Sequence, residues 1–368
     1  MSEIDKNLTE DDIKKLEQVG IDLQKEKRAG TFIWENDREI YENSKENVII
    51  RPIAKAVEEF KWLKDILWSL VNPEKDKYTK NAYKAGLRGS FIYIPPRVVL
   101  KNPVQTCFFI KLDRFNQYVH NVIYVDEGSV VHMLNGCTTA SYVNRGLHAG
   151  ITEFFIQNNA TLSYTMIHDW AENMEVKPRS TAIVEENATF ISNYISLKKG
   201  KDVQMYPETV LNGDNSITRM TSLIYAPSGS FYDVGARVIL TGKNSRAEVI
   251  SRSISNGGTI IARGHLKGET KGIKAYLECS GLMLKEEGHI HAIPELESSY
   301  DDVDMTHEAA VGKISKDELE YLMARGLSLQ EATDAIVMGF MDISIMGLPE
   351  VVEKQVRKHL KIIENTSF

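Results

Sequence analysis

Three short stretches of this 368-residue chain carry the same punctuation at intervals of about 30 residues: Val125-Asp-Glu-Gly-Ser-Val-Val131, Ile156-Gln-Asn-Asn-Ala-Thr-Leu162 and Val184-Glu-Glu-Asn-Ala-Thr-Phe190. A looser fourth is Ala226-Pro-Ser-Gly-Ser-Phe231. Each sets a polar pair before Gly or Asn, then a small residue, then a return to apolar alternation. Gly and Asn tolerate the left-handed backbone that a tight corner takes. Between corners, from about residue 91 to 305, lie short runs rich in Val, Ile, Thr, Phe and Tyr. Repeated corners joined by strands predict a solenoid, and a parallel β-helix is the direct way to stack them. An antiparallel sandwich is the alternative. Later corners drift from the interval, so the repeat is degenerate. A mispaced coil would turn inward side chains outward, because the strand period is two.

The flanks read as helix. Thr9-Glu-Asp-Asp12 has the form of a capping start. Val57, Phe60, Leu63, Ile66, Leu67 and Leu70 fall at helical spacing, which predicts one helix over 56–70, stopped by Asn72-Pro73. The mixed-sign stretch from Lys55 to Lys64 reads as its solvated face. Gly86-Leu-Arg-Gly89 and Pro95-Pro96 mark the entry to the β region. At the far end, Ser315-Lys-Asp-Glu318 and Ser328-Leu-Gln-Glu331 each match a capping box. Arg325-Gly326 closes the first of these helices, and Pro349 opens a third running towards Leu360. The predicted fold is mainly β, with a helical region over 1–90, a β-helix core over 91–310 and a helical domain over 311–368.

Charge and composition narrow the function. A net charge of −7 spread along the chain gives no basic field for phosphates, so nucleic acid is a poor partner. No uncharged apolar run approaches the roughly 20 residues that span a bilayer, and the charged N-terminus lacks a signal-peptide core, so a soluble, cytoplasmic protein is expected. Cys107, Cys137 and Cys279 lie far apart with no CxxC pair, which fits a reducing compartment.

Soft and borderline metal ligands concentrate in one segment: Cys279, His289, His291, His307 and Glu308, with His265 just upstream. Thiolate, imidazole and carboxylate hold iron or zinc, and thiolate favours iron-sulfur chemistry. The spacing matches no finger or ribbon, and the bland alternative is a small core cysteine among surface histidines. Asp301, Asp302 and Asp304 have the look of a β-helical glycosidase's acids but read better as a solvated turn. Neither a GxxxxGK[ST] loop, a nucleophile elbow nor a strand-to-helix GxGxxG occurs. Cys137 is expected to be buried.

An ordered set of short motifs then becomes recognisable: Gly136-Cys-Thr138, Leu147-His-Ala149, Leu211-Asn-Gly-Asp-Asn-Ser216, Glu278-Cys-Ser280, Met305-Thr-His-Glu-Ala309 with Gly312-Lys-Ile314, and Ala324-Arg-Gly326 leading to Gly339-Phe340. Over about residues 95–345 this order resembles the core of the SufB/SufD family of iron-sulfur cluster assembly scaffolds. The resemblance implies a right-handed parallel β-helix with helical ends. It implies two such chains pairing through their β-helices, as a homodimer or a SufB/SufD-type heterodimer, and C-terminal helices that dock a SufC-type ATPase. It further implies a transient iron-sulfur cluster, a sulfur donor, apo-protein acceptors and, as a further cofactor to consider, a flavin. Carried over by position, Cys279 is the cluster-building cysteine, with Glu308 and His307 as its acidic and imidazole partners. Relative to longer SufB proteins the chain is shorter at the N-terminus and has no cysteine around Ala182 to Ser192, where their sulfur-accepting residue lies. Either sulfide reaches Cys279 directly or the chain takes the SufD role; Cys279 with His307-Glu308 favours SufB. The chain itself is then expected to be a non-catalytic scaffold, with ATP hydrolysed by its partner.

Overall fold

The computed structural model describes residues 8–23 and 28–342, with residues 346, 350, 353, 354 and 357 beyond. Before the solenoid come α1 (Glu10–Gln18), β1 (Gly30–Glu35), β2 (Arg38–Ser44), β3 (Ile49–Pro52), α2 (Ile53–Glu59), α3 (Leu63–Ile66) and α4 (Lys77–Ala85). The first coils follow as β4 (Ser90–Ile94), β5 (Val104–Ile110), β6 (Phe115–Val125), β7 (Val130–Thr139), β8 (Arg145–Ile156), β9 (Thr161–Asp169), β10 (Asn173–Val176) and β11 (Arg179–Val184). The middle coils are β12 (Thr189–Ser196), β13 (Asp202–Met205), β14 (Glu208–Leu211), β15 (Ile217–Pro227), β16 (Phe231–Leu240) and β17 (Arg246–Asn256). The last are β18 (Thr259–Gly268), β19 (Ile273–Met283), β20 (His289–Ser298) and β21 (Val303–Lys313), and α5 (Lys316–Ala324) and α6 (Leu329–Phe340) close the described chain.

The strands wind into a parallel β-solenoid of about eight turns, as the repeated corners predict. One sheet runs β2-β1-β5-β7-β9-β12-β15-β17-β19-β21; the other runs from β3 through β4, β6, β8, β11, β14 and β16, and on through β18 to β20. The register is regular: Val130 pairs with Thr161, Thr161 with Thr189, Thr189 with Ile217, Ile217 with Arg246, and Arg246 with Lys274. The strand ladders that join one coil to the next are parallel, which rules out the antiparallel sandwich.

The corners do what their composition implies. Gly128, Asn159, Asn187 and Gly229 all have positive φ, and so do Asn215 and Asn244 in corners that the drifting repeat had hidden. Their amides knit one coil to the next: the Asn159 N–H donates to Glu186 O, Asn187 to Asp214 O and Asn215 to Lys243 O, all within 2.8–2.9 Å. The side-chain amide of Asn215 donates to Asn187, and that of Asn187 to Asn159. Strand alternation fills the lumen. In β18 and β19 every second residue is buried, and Ile260, Ala262, Leu266, Leu277 and Cys279 join one continuous core. Burying each large aliphatic chain there is worth about 1.5–3 kcal/mol, which stabilises a stack whose coils cannot fold singly.

The N-terminal flank is less helical than its spacing predicts. Residues 30–52 form β1 to β3 instead: Gly30–Glu35 is buried throughout and pairs in register with β5, so it extends the first sheet, and β2 folds back antiparallel over it. The single helix expected over 56–70 is broken into α2 and α3. Its apolar stripe does pack on the second sheet, where Val57 and Leu63 meet Phe91, Val122 and Phe155. The stop after α3 has a cause in Glu153 of β8. Fully buried, it accepts the N–H groups of Trp68 (2.7 Å), Leu70 (2.7 Å) and Val71 (3.0 Å), so the backbone finds its partner in a carboxylate rather than in a further helical turn.

Among the caps, Thr9 with Asp12 and Ser328 with Glu331 make reciprocal boxes as expected, and Gly326 (φ 100°) closes α5. Ser315 differs: it holds extended cap geometry without a side-chain hydrogen bond. The helix expected from Pro349 towards Leu360 lies largely outside the described residues. No described helix is long and apolar enough to cross a membrane.

Candidate functional site

Cys279 lies midway along β19, one strand in from the end of its sheet. Its neighbours in register are Ser251 of β17 on one side and Ala309 of β21 on the other. Odd-numbered residues of β19 up to Gly281 face the lumen, so the thiol is 1% exposed among core side chains. Burial pushes its pKa up to about 11, and the charge of neighbouring Glu278 adds to this. The fold therefore stabilises the neutral thiol. That contribution is intact below about pH 8.5, the value of an unfolded thiol, and is lost as pH rises towards 11.

His307 and Glu308 stand on the next and last strand of the sheet. His307 is aligned with buried Leu277, so it lies on the same face as Cys279, a diagonal neighbour at about 7–8 Å between backbones. Glu308 is aligned with Glu278 and points to the opposite, outer face, where its carboxylate accepts a hydrogen bond from the Tyr276 hydroxyl at 3.2 Å. Within one chain the structure thus brings together Cys279 and His307 but turns Glu308 away from the thiol. The reason is the strand period: 279 and 308 have opposite parity in a register that pairs 279 with 309. Both His307 and Glu308 are exposed, as is Ala309, the small residue that stands next to Cys279 at the open end.

The outer face around Glu308 is charged and connected. Ser280 donates to Glu278 at 3.0 Å, Arg252 approaches Glu278 at 3.6 Å, and the Arg252 guanidinium also donates to the backbone oxygen of Phe340, the last residue of α6. Glu278 stands in the motif Glu278-Cys-Ser280, whereas Arg252 and Tyr276 are not among the residues that the sequence singles out. The signal for Tyr276 was alternation itself, because Lys274, Tyr276, Glu278 and Ser280 are polar at every second position of β19.

The other histidines lie elsewhere. His289 and His291 are exposed on the outward side of β20, in the second sheet, with ring centres 6.5 Å apart. His265 of β18 faces Glu297 at 3.3 Å. Asp301 and Asp302 form an exposed turn, in which the Asp302 carbonyl accepts the Gly272 N–H. Cys137 is 1% exposed with its pKa pushed up to about 12 by burial, and Cys107 is buried too. No group of three or more metal-ligating side chains forms among the described residues of a single chain.

A cavity of about 60 Å³ lies in the lumen, lined by Tyr164, Met166, Ser192, Met220, Ser222 and Ser251 among others. It is large enough for a few waters. It reaches the rung of Ser251, adjacent to Cys279.

These environments set an expected result for thiol chemistry. In the isolated folded chain at pH 8, labelling of Cys279 should be on the order of 100-fold slower than for a free thiol, accelerating only as pH approaches 11, and the buried Cys107 and Cys137 should also label slowly. A cysteine that reacts within seconds at pH 8 and maps to Cys279 would show that the end of the solenoid opens without a partner.

Residues 108–340 match the family described as SUF system FeS cluster assembly, SufBD core domain. An iron-sulfur cluster assembly SufBD family protein of Archaeoglobus fulgidus is 45% identical over 354 residues, covering 96% of this chain and 95% of that protein. A namesake in Methanothermobacter thermautotrophicus is 38% identical over 93% of this chain and 85% of its own length. Another, in Staphylococcus aureus, is 32% identical over 87% of this chain and 71% of its own. With a family core spanning more than half its length and a solenoid whose coils carry every one of the β-region motifs in order, this chain belongs to the SufB/SufD family of iron-sulfur cluster assembly proteins.

Proposed function

We propose that the chain is a SufB-like scaffold subunit, on which iron and sulfide are assembled into a nascent cluster and passed to apo-proteins in the cytoplasm. The observation that carries this reading is the position of Cys279: a thiol one strand from the open end of the solenoid, on the same face as His307 and beside the alanine rung of Ala309. The iron and sulfide are cargo. A thiolate from Cys279 is the anchor, and His307 is a ligand or an orienting base. Glu308 is a labile oxygen ligand supplied across a dimer, since its own chain turns it outward. Few thiolates and weak oxygen donors suit a site that must release what it builds.

The end of the solenoid supports pairing of two copies. β20 and β21 are the last strands of their sheets, with Leu296 and Val311 exposed on them, and an unpaired strand edge is a template for another chain. Edge-to-edge pairing about a twofold axis would gather both copies of His307, Glu308 and the rung over Cys279. ATP hydrolysis belongs to a SufC-type partner docked on α5 and α6, whose Tyr321, Met323 and Leu329 are exposed. The contact from Phe340 through Arg252 to Glu278 is a physical link from that helical unit to the outer face of the last coils.

A second reading is a SufD-like structural subunit. The observation favouring it is that Cys279 is buried and protonated in the single chain. Anaerobic co-purification with a SufC-type ATPase separates the two. The expected result is a complex of two identical scaffold chains with ATPase, carrying iron and labile sulfide. An obligatory second, dissimilar scaffold chain that holds all the iron would assign this chain the SufD role.

A further inference from the structure

Far from Cys279, the solenoid gathers cations that the sequence scatters. Arg114 precedes β6, Arg145 opens β8 and Lys201 precedes β13, so successive coils bring them to one edge of the second sheet; Lys77 comes from α4 across the groove. The register is tight: the Arg114 N–H donates to the Arg145 carbonyl at 2.7 Å, which sets these two residues on adjacent coils about 4.8 Å apart. From Arg114 to Lys201 is three coil steps, about 14 Å. Together they border a groove of about 880 Å³, the size of a small-molecule site.

Like charges at neighbouring positions repel, so stacking Arg114 on Arg145 costs stability unless something between them is negative. Little in the protein supplies that. Glu175 is the single carboxylate of the lining among the described residues. Asp113, 3.7 Å from Arg114 and close enough to Arg145 for the two charges to interact, offsets part of the repulsion from outside the lining, its other oxygen accepting the N–H groups of Asn144 and Arg145. Lys77, Arg145 and Lys201 form no ion pair among the described residues, and all four cations are exposed. Arg114 also holds a left-handed backbone (φ 61°), a conformation that costs energy for a side chain of its size. Carboxamides complete the wall: Asn173 donates to Asn144 at 2.8 Å, and Asn81 donates to the Tyr118 hydroxyl.

We propose that this groove binds a small oligophosphate, two or three linked phosphate groups, either inorganic or at the end of a nucleotide. Paired guanidinium groups meet phosphate oxygens in bidentate fashion, and a lysine on each side adds point charge. Several cations along one line favour a chain of phosphates over a single one. A long polyanion is disfavoured, because the chain as a whole carries −7 and would repel whatever extends beyond the groove.

Titration of the full-length chain by calorimetry at about 50 mM salt tests this, since exposed charges are screened at higher ionic strength. Pyrophosphate is expected to bind at least tenfold more tightly than inorganic phosphate or sulfate; ATP binding at least as tightly as pyrophosphate assigns the groove to a nucleotide's phosphates, and ATP binding more weakly assigns it to an inorganic oligophosphate. The double variant Arg114→Gln/Arg145→Gln should lose tenfold or more in affinity with its circular dichroism unchanged. If that variant misfolds, Lys77→Gln/Lys201→Gln carries the same expectation. Absence of binding at millimolar pyrophosphate, equal affinity for sulfate, or a folded double variant that binds like wild type would overturn the assignment.

Discussion

Replacing Glu153 by Ala is expected to cost about 3–5 kcal/mol, a large share of the roughly 5–15 kcal/mol that holds a domain together. The carboxylate is fully buried and already has four partners: the N–H groups of Trp68, Leu70 and Val71, and the His120 ring at 2.7 Å. The Trp68 indole lies against that imidazole with ring centres 4.1 Å apart and planes tilted by 31°, and Trp68 itself takes positive φ. Removing the acid strands three backbone donors and one imidazole away from water, each at about 1–3 kcal/mol if nothing replaces the bond. Glu153→Gln keeps one acceptor oxygen but turns an NH2 group towards the N–H donors, so it should recover only part of the loss. Denaturant unfolding measures the global cost, and limited proteolysis over 67–72 measures the local one. A Glu153→Ala protein within about 1 kcal/mol of wild type, with that segment still resistant, would mean that the strap is held by the apolar contacts of α2 and α3 alone.

The second large effect is on cluster building. Cys279→Ala removes one sulfur from a core position and should leave the solenoid folded, at a cost of about 1–2 kcal/mol. Under the scaffold reading it removes the anchoring thiolate, so cluster transfer to an apo-ferredoxin-type acceptor should fall at least tenfold. Glu308→Gln should weaken transfer less, because one oxygen donor replaces another. If Glu308→Gln were as damaging as Cys279→Ala, the carboxylate would have to be an anchor in its own right.

Much of this fold was legible because its constraints are local. A corner that takes positive φ selects Gly or Asn, and Gly128, Asn159 and Asn187 announced themselves in repeated surroundings. Asn215 and Asn244 obey the same rule but follow Gly-Asp and Gly-Lys, and so escaped notice. The strands of 30–52 were missed because the N-terminal stretch was read as one helical flank, although Thr31-Phe-Ile-Trp34 is a β-rich run. The early stop of the helical stretch after Ile66 had a different source: Glu153 lies more than 80 residues away, and the only trace of it in the sequence is a lone carboxylate in the apolar strand Ala149–Ile156.

The site shows the same division. The ligand types in the last coils were visible in the sequence, while their faces were not, because facing depends on register. One residue of slip would have put Glu308 beside Cys279; the observed pairing of 279 with 309 puts Ala309 there and aligns Glu308 with Glu278. The basic groove was hidden for a similar reason. An overall negative charge says nothing about three cations that coil stacking brings into line and a fourth that α4 sets across from them.

The central claim is that a cluster is built on the thiol of Cys279 at the paired end of the solenoid. Iron and acid-labile sulfide per chain, measured after anaerobic reconstitution of the ATPase complex with wild type and Cys279→Ala side by side, test it most directly. Wild type should retain both, and the variant should retain less than a tenth of either while keeping the same assembly mass. A variant that holds the full complement and transfers it would contradict the claim.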